Sequence, residues 1–133
     1  MTATLTAKAR ALLDRPVIAN VATVGADGRP QITPVWVDVE DGVVVFNTAR
    51  GRVKDRNLSA NPNVAVSVVD PDDAFNVVVV RGTARAVEEG ADAHIDRLAK
   101  KYMGLDEYPM RQPGEVRVKY VLDADAIPMQ PAD

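Results

Sequence analysis

Short apolar runs separated by turn residues dominate the chain, and they predict β-strands. Three runs follow one another in the first half: Val17–Thr23, Gln31–Val39 and Val43–Thr48. The turns between them contain Asp27-Gly28 and Asp41-Gly42, and Asp-Gly between apolar runs is typical of tight hairpins. The first half therefore predicts an antiparallel meander. Pro34 interrupts its second strand, which is typical of an edge, a bulge or a backbone that faces a ligand.

The second half predicts three more strands, Val64–Asp70, Phe75–Val87 with a bend at Gly82, and Val116–Leu122. Helical spacing of apolar residues predicts helices in Leu5–Leu13, Thr48–Ala60 and Glu88–Met103. We expect Thr4 or Thr6 to cap the first helix, Thr48 to cap the second and Gly104 to end the third. Asp123–Asp133 is interpreted as a polar tail, flexible over about 124–133. The whole pattern predicts a single domain over residues 1–133, mainly β (α+β), built as a six-stranded antiparallel barrel with short flanking helices.

Composition and charge narrow the possible classes of protein. Hydrophobic residues make up 47% of the chain, and the longest apolar runs, Val43–Phe46 and Val77–Val80, are far shorter than a membrane span needs. No secretory or transit pattern opens the chain, so we expect a cytoplasmic protein without a membrane span. The net charge of −3 disfavours a general nucleic-acid binder.

The supply of reactive side chains is small. The chain has no Cys and one His, His94, which excludes disulfides, thiolate metal sites and any metal site built on several imidazoles of one chain. A Ser-His-Asp hydrolase would depend on His94, which is expected to be a surface or boundary residue. An all-carboxylate metal site stays open, but the acids have no diagnostic spacing, and no metal is predicted. Any chemistry is therefore expected to come from a bound cofactor.

One basic segment contrasts with the acidic background. Arg50–Arg56 carries four positive charges and one negative charge in seven residues. A helix N-terminus beside Gly51 would offer free amide groups, Arg52 can form a fork on phosphate oxygens, and Lys54 can reach the same group. The segment is equally consistent with a solvated basic helix face, and spacing alone leaves both interpretations open.

A longer series of motifs gives the segment a family context. Gly28-Arg29-Pro30-Gln31 is followed by Phe46-Asn47-Thr48, Gly51-Arg52-Val53-Lys54, Arg56-Asn57-Leu58 and Asn61-Pro62. In this order the motifs resemble the flavin and deazaflavin split-barrel family founded by pyridoxamine 5′-phosphate oxidase. Val80-Arg81-Gly82-Thr83-Ala84, Lys101-Tyr102-Met103-Gly104, Tyr108-Pro109 and Arg117 look like its branch of F420-dependent reductases. The resemblance extends over about Leu5 to Ile127.

The resemblance implies a split-barrel homodimer with two cofactor sites along the subunit interface. It places the cofactor phosphate on Arg52 and Lys54, in the segment that also contains Gly51 and Val53, and brings Asn47 and Thr48 to the same tail or the ring. The cofactor ring would lie along Gln31, Thr33, Pro34, Val35 and Trp36. Phe75 and Asn76 would close the site from the partner subunit.

The implied cofactor is coenzyme F420, with FMN as the alternative. The implied reaction is hydride transfer from reduced deazaflavin to a small electron-poor acceptor such as an enone, quinone or tetrapyrrole. A proton would come from solvent, Tyr102 or Tyr108. An FMN-binding oxidase or reductase, and a non-catalytic carrier of F420, flavin or tetrapyrrole, stay open. The chain is shorter than the founding oxidase and lacks its Arg-rich end, so oxidation of vitamin B6 is not expected.

Overall fold

The computed structural model describes residues 3–133, in which six antiparallel strands close into a barrel. The strands are β1 (Ile18–Val24), β2 (Pro30–Glu40), β3 (Val43–Ala49), β4 (Asn63–Asp70), β5 (Asp73–Val87) and β6 (Arg117–Met129). They neighbour one another in the order β1-β2-β3-β6-β5-β4, and pairing of β4 with β1 closes the barrel. The fold class predicted from the sequence is confirmed.

Hairpin chemistry explains the meander of β1, β2 and β3. Asp41 and Gly42 both have positive φ, 53° and 77°, as a two-residue turn of the type I′ class requires.

Gly82 is required in β5 for a different reason. A Cβ there would overlap the carbonyl oxygen of Asp123, and the β5–β6 register shifts at this point. The bend that the sequence predicts at Gly82 falls at this register shift.

Three helices flank the barrel in the described part of the chain: α1 (Ala7–Asp14), α2 (Val53–Ala60) and α3 (Ala91–Met103). The hydroxyl of Thr6 caps α1 by accepting from Ala9 N at 3.1 Å, and Gly104 ends α3 with φ 74°, both as predicted. The prediction that Thr48 caps α2 is wrong. Thr48 pairs with Val118 inside β3, and the chain turns at Gly51 before α2 begins.

The C-terminal segment differs most from the sequence-based expectation. The sequence predicts a last strand that ends at Leu122 and a polar, flexible tail after it, but β6 continues to Met129, which pairs with Val79. Beyond it, Gln130 Oε1 accepts from Thr6 N at 2.8 Å. Asp133 Oδ1 accepts from Lys8 N at 3.1 Å. The expected tail is therefore in part a strand and in part a set of contacts at the start of α1.

The barrel interior is filled by branched aliphatic side chains around one aromatic pair. Phe46 of β3 and Tyr120 of β6 stack with ring centroids 5.5 Å apart, and both are buried. Alternate positions of the strands point inward, as in Val64, Val66 and Val68 of β4. Within residues 3–133, every helix is too short or too polar to cross a membrane.

Candidate functional site

An open cavity of ≈ 340 Å³ lies where α3 and the loop before β6 approach β2, β3 and the start of α2. Its wall combines apolar, aromatic and basic groups. It is lined by Ile18, Pro34, Val35, Trp36, Asn47, Thr48, Arg52, Lys54, Ile95, Leu98, Tyr108, Met110 and Arg117. This mixture of a large apolar surface with a few polar groups is typical of a small-molecule site.

The aromatic part of the wall is held rigidly. Trp36 stacks on Tyr102 with centroids 5.1 Å apart and an interplanar angle of 8°, and it meets Tyr108 edge-on at 6.0 Å. The Tyr102 hydroxyl donates to Val17 O and accepts from Val37 N, so its ring cannot turn freely. A supported indole and a second ring at right angles suit a flat apolar ligand.

Lys54 supplies positive charge without a counter-ion. Its Nζ donates to the hydroxyl of Thr33 at 3.0 Å, and no carboxylate of residues 3–133 pairs with it. Burial lowers the pKa of this half-buried lysine, and the nearby Arg52 lowers it further. A cation in these surroundings is costly, and an anionic ligand would relieve the cost.

The turn at Gly51 is fixed by Asp55 of α2. Gly51 has φ 89°, and its N–H donates to Asp55 Oδ2 at 2.9 Å. Asp55 Oδ1 also accepts from Tyr120 and Arg50, at 2.6 and 2.9 Å. Burial raises the pKa of Asp55, but these three donors outweigh it and hold the pKa below the ordinary value, while burial and Asp55 raise the pKa of Tyr120 to about 12. The Gly51 N–H therefore already has a hydrogen-bond partner within the fold.

The two polar residues at the end of β3 have different surroundings. Thr48 lines the cavity, and its buried Oγ1 has no hydrogen-bond partner within the described residues. Asn47 is fully engaged: its Oδ1 accepts from Arg117 Nε at 2.9 Å, and its Nδ2 donates to Ala91 O and approaches His94 Nδ1 at 3.1 Å. Thr48 thus has a buried hydroxyl without a partner, whereas Asn47 holds neighbouring groups in place.

His94 is completely buried, and the expectation of a surface or boundary position is wrong. Its Nε2 lies 3.6 Å from Asp38 Oδ2 and 3.5 Å from Glu40 Oε1, a cluster with the residue types of a metal site. Because the amide nitrogen of Asn47 is a donor, its 3.1 Å contact favours a His94 ring with Nδ1 as acceptor and the proton on Nε2, the nitrogen nearer the two carboxylates. His94 is also the largest cause of the lowered pKa of Asp38.

The structure brings seven predicted site residues together in the cavity: Pro34, Val35, Trp36, Asn47, Thr48, Arg52 and Lys54. Thr33 joins them through Lys54. Gln31 and Val53 line a shallow depression beside Arg29 and Asn57, and Gly51 lies in the turn just described. Phe75 and Asn76 lie in another depression, with Lys8 and Arg15, so one chain alone does not bring them to the cavity.

Sequence reasoning did not select several residues of the site. Ile95 and Leu98 belong to the apolar face of α3, a helical spacing that predicts core packing. Arg117 is 4% exposed and lies over the Tyr108 ring at 5.2 Å, with its Nη1 2.7 Å from Glu115 Oε1. The resemblance singled out Arg117 but gave it no role, and nothing in the sequence indicated Glu115.

Known proteins share this fold and parts of this sequence. A solved structure of an F420 reductase has 32% sequence identity and a TM-score of 0.79, and the match covers 92% of this chain and 98% of that one. A conserved hypothetical protein from Mycobacterium tuberculosis, 24% identical with a TM-score of 0.73, shares the fold over 95% of this chain and 84% of its own.

A curated relative is similar over a shorter stretch. Pyridoxine/pyridoxamine 5′-phosphate oxidase of Chromobacterium violaceum is 36% identical over 85 residues, which is 63% of this chain and 40% of the relative. The match thus spans less than half of that protein's length.

The model of a protein family, described as pyridoxamine 5′-phosphate oxidase, matches residues 5–124. That range contains all six strands at least in part and every residue of the cavity wall. The chain therefore belongs to the pyridoxamine 5′-phosphate oxidase family.

Proposed function

We propose that this protein binds coenzyme F420 in the cavity and acts as an F420H2-dependent oxidoreductase on a small electron-poor acceptor. The observation that carries the proposal is Lys54, a half-buried cation whose hydrogen-bond partner is a hydroxyl and which lies beside Arg52 at the edge of an aromatic-walled cavity. A phosphate at this edge would neutralise both cations, and a planar ring would then extend along the aromatic wall.

The residues present fit such a cofactor. Arg52 and Lys54 would hold the phosphate, and the unpartnered Oγ1 of Thr48 would accept or donate a hydrogen bond to the same tail. In the described part of the chain no side chain caps the N-terminus of α2, so its amide groups add to the positive potential. Pro34 and Trp36 would flank the ring, and Pro34 has no N–H to leave unpaired beside it.

The bound reduced deazaflavin would supply the hydride, with an enone, quinone or tetrapyrrole-like compound as acceptor. The chain's own residues orient the two reactants and limit the access of water. The Tyr102 hydroxyl is hydrogen-bonded to two backbone groups, whereas Tyr108 lines the cavity. Tyr108 is therefore the better candidate for a proton donor.

The F420 reductase with 32% identity over 92% of this chain supports F420 over FMN. Both cofactors carry a phosphate on a ribityl chain and a planar ring, so the basic and aromatic groups of the cavity suit either. The cytoplasmic location expected from the sequence stays a prediction.

We also propose a homodimer in which the partner completes the site. Apolar side chains are exposed on the outer face of the barrel, with Phe75 at 96% and Ile32 at 67% exposure, together with Ile18 and Val69. Ile18 also belongs to the cavity wall, so a second copy on this face would extend the wall. Sedimentation at several concentrations tests the dimer: a species of monomer mass at every concentration contradicts it.

Parallel fluorescence titrations of the purified protein with F420 and FMN test the proposed function. We expect saturable F420 binding that Lys54→Met weakens, whereas Lys100→Met, on the exposed face of α3, serves as the matched control. Tight binding of FMN without binding of F420 would contradict the proposal and indicate an FMN-dependent protein. Binding of F420 without turnover of any acceptor would indicate a carrier.

A further inference from the structure

Glu115 lies just before β6 and divides its carboxylate between two arginines of the cavity. Its Oε1 is 2.7 Å from Arg117 Nη1, and its Oε2 is 3.6 Å from Arg52 Nη2. The Glu115 side chain is 8% exposed. Within residues 3–133 the cavity wall contains no acidic residue, so Glu115 supplies negative charge beside two of the three cations of the wall, Arg52 and Arg117.

The two contacts of Glu115 differ in strength. Arg117 is buried, donates a second hydrogen bond to Asn47 and is covered by the Tyr108 ring, so it is fixed. The Arg52 side chain is 50% exposed and has one long contact to Glu115. An anion that enters the cavity can therefore draw Arg52 away from Glu115, while Arg117 stays in place.

Because Glu115 keeps its charge when Arg52 turns to the ligand, it repels the ligand's phosphate. Coulomb repulsion scales with the ligand's charge. A phosphate monoester, as in FMN, carries nearly two negative charges above its second pKa of about 6. A phosphodiester, as in F420, carries one charge at its phosphorus.

We propose that Glu115 is a specificity-determining residue that disfavours phosphate monoesters relative to phosphodiesters at the Arg52–Lys54 edge of the cavity. This inference rests on the proposed function, since it assumes that a cofactor phosphate binds there. In this inference Glu115 does not contact the ligand. Glu115 neutralises Arg52 in the free protein, and Arg52 leaves Glu115 for a ligand of low charge.

Glu115→Gln tests the inference, because glutamine keeps a hydrogen-bond acceptor for Arg117 and removes the charge. Dissociation constants for FMN, riboflavin and F420 are compared at pH 8 in the wild type and the variant. We expect FMN to bind about tenfold more tightly, F420 about threefold more tightly, and riboflavin without change, since the repulsion of one charge is half that of two. Glu107→Gln, in an exposed position of the same loop, controls for the change in net charge.

Equal gains for FMN and F420, or weaker binding of both, would overturn the role of Glu115. In another outcome, the wild type binds FMN no better than riboflavin, and F420 no better than its dephosphorylated nucleoside. That result would contradict both the proposed phosphate site and the inference about Glu115.

A second pair of variants leaves the buried Arg117–Glu115 contact untouched. Because Glu115 already offsets Arg52 but not Lys54, Arg52→Met should reduce FMN affinity several-fold less than Lys54→Met does. An equal or greater loss in Arg52→Met contradicts the inference even if Glu115→Gln fails to fold.

Discussion

Arg50 and Lys54 belong to the same basic segment, yet their surroundings are opposite. Arg50 donates to Asp55 at 2.9 Å and to Glu88 at 2.8 Å. Lys54 meets a hydroxyl and a second cation. Accordingly, Glu88 and Asp55 raise the pKa of Arg50, whereas burial and Arg52 lower the pKa of Lys54.

The difference separates the two interpretations that the sequence left open for this segment. A cation paired with carboxylates, as Arg50 is, supports the fold and has little to offer a ligand. A half-buried cation without a counter-ion is costly to the folded protein, and it is typical of a site that an anion completes. The segment therefore contains a structural part, around Arg50, and a second part, around Lys54, that we propose binds the ligand; these are called the structural part and the binding part below.

The largest effect is expected from breaking the structural part. Asp55→Asn removes the charge that Arg50, Gly51 and Tyr120 share, so we expect the free energy of unfolding to fall by roughly 3 kcal/mol. Urea unfolding followed by circular dichroism measures the loss. A change below about 1 kcal/mol would show that Asp55 does not hold the turn.

Lys54→Met should break the binding part and have opposite effects on binding and stability. Loss of a charge-assisted contact should weaken F420 binding by about 1.5–3 kcal/mol. The ligand-free variant should unfold at higher urea concentration than the wild type, because methionine fills the same half-buried position without a charge. A variant that loses stability as well as affinity would place Lys54 with the structural cations.

The pH dependence of binding should follow the same lysine. Burial and Arg52 hold the pKa of Lys54 below its ordinary value, so folding disfavours its charged form. As the pH rises through that lowered pKa, Lys54 loses its charge and F420 affinity should fall, while the cost of burying the charge in the ligand-free protein decreases until the pH exceeds the ordinary pKa of an unfolded lysine. Titrations in alkaline buffers should show this decline in the wild type and not in Lys54→Met.

The smallest effect is expected from Glu88→Gln. Glu88 pairs with Arg50 at the surface, where an ion pair contributes about 0–1 kcal/mol, and Asp55 still holds Arg50. The unfolding free energy should change by less than about 1 kcal/mol, and F420 affinity should be unchanged. A loss comparable with that of Asp55→Asn would mean that the exposed partner, and not the buried one, stabilises the turn.

The sequence predicted those parts of the fold that depend on local chemistry. Asp41-Gly42 determines a hairpin, and Gly104 ends a helix through its own backbone conformation. The start of α2 was missed because Thr48 stays in β3 by pairing with Val118, which no local pattern records. The end of β6 was missed for the same reason, since Met129 pairs with a residue of β5.

The candidate site also contains residues that the sequence could predict and residues that only the fold brings together. Arg52 and Lys54 were predictable from a basic segment and a family resemblance, because both lie close together in sequence. The resemblance places Asn47 at the ligand, and only the fold shows that its side chain also contacts Arg117 and His94, which are distant in sequence. Glu115 belongs to no motif, and although Arg117 lies two residues further along the chain, only the fold brings Arg52 to the same carboxylate.

A crystal structure of the protein with bound F420, or with FMN if that cofactor binds more tightly, tests the central claim most directly. We expect a phosphate oxygen within hydrogen-bond distance of Lys54 Nζ and of the Arg52 guanidinium, with the ring along Trp36. A cofactor bound with its phosphate elsewhere, and Lys54 still on the Thr33 hydroxyl, would contradict the account.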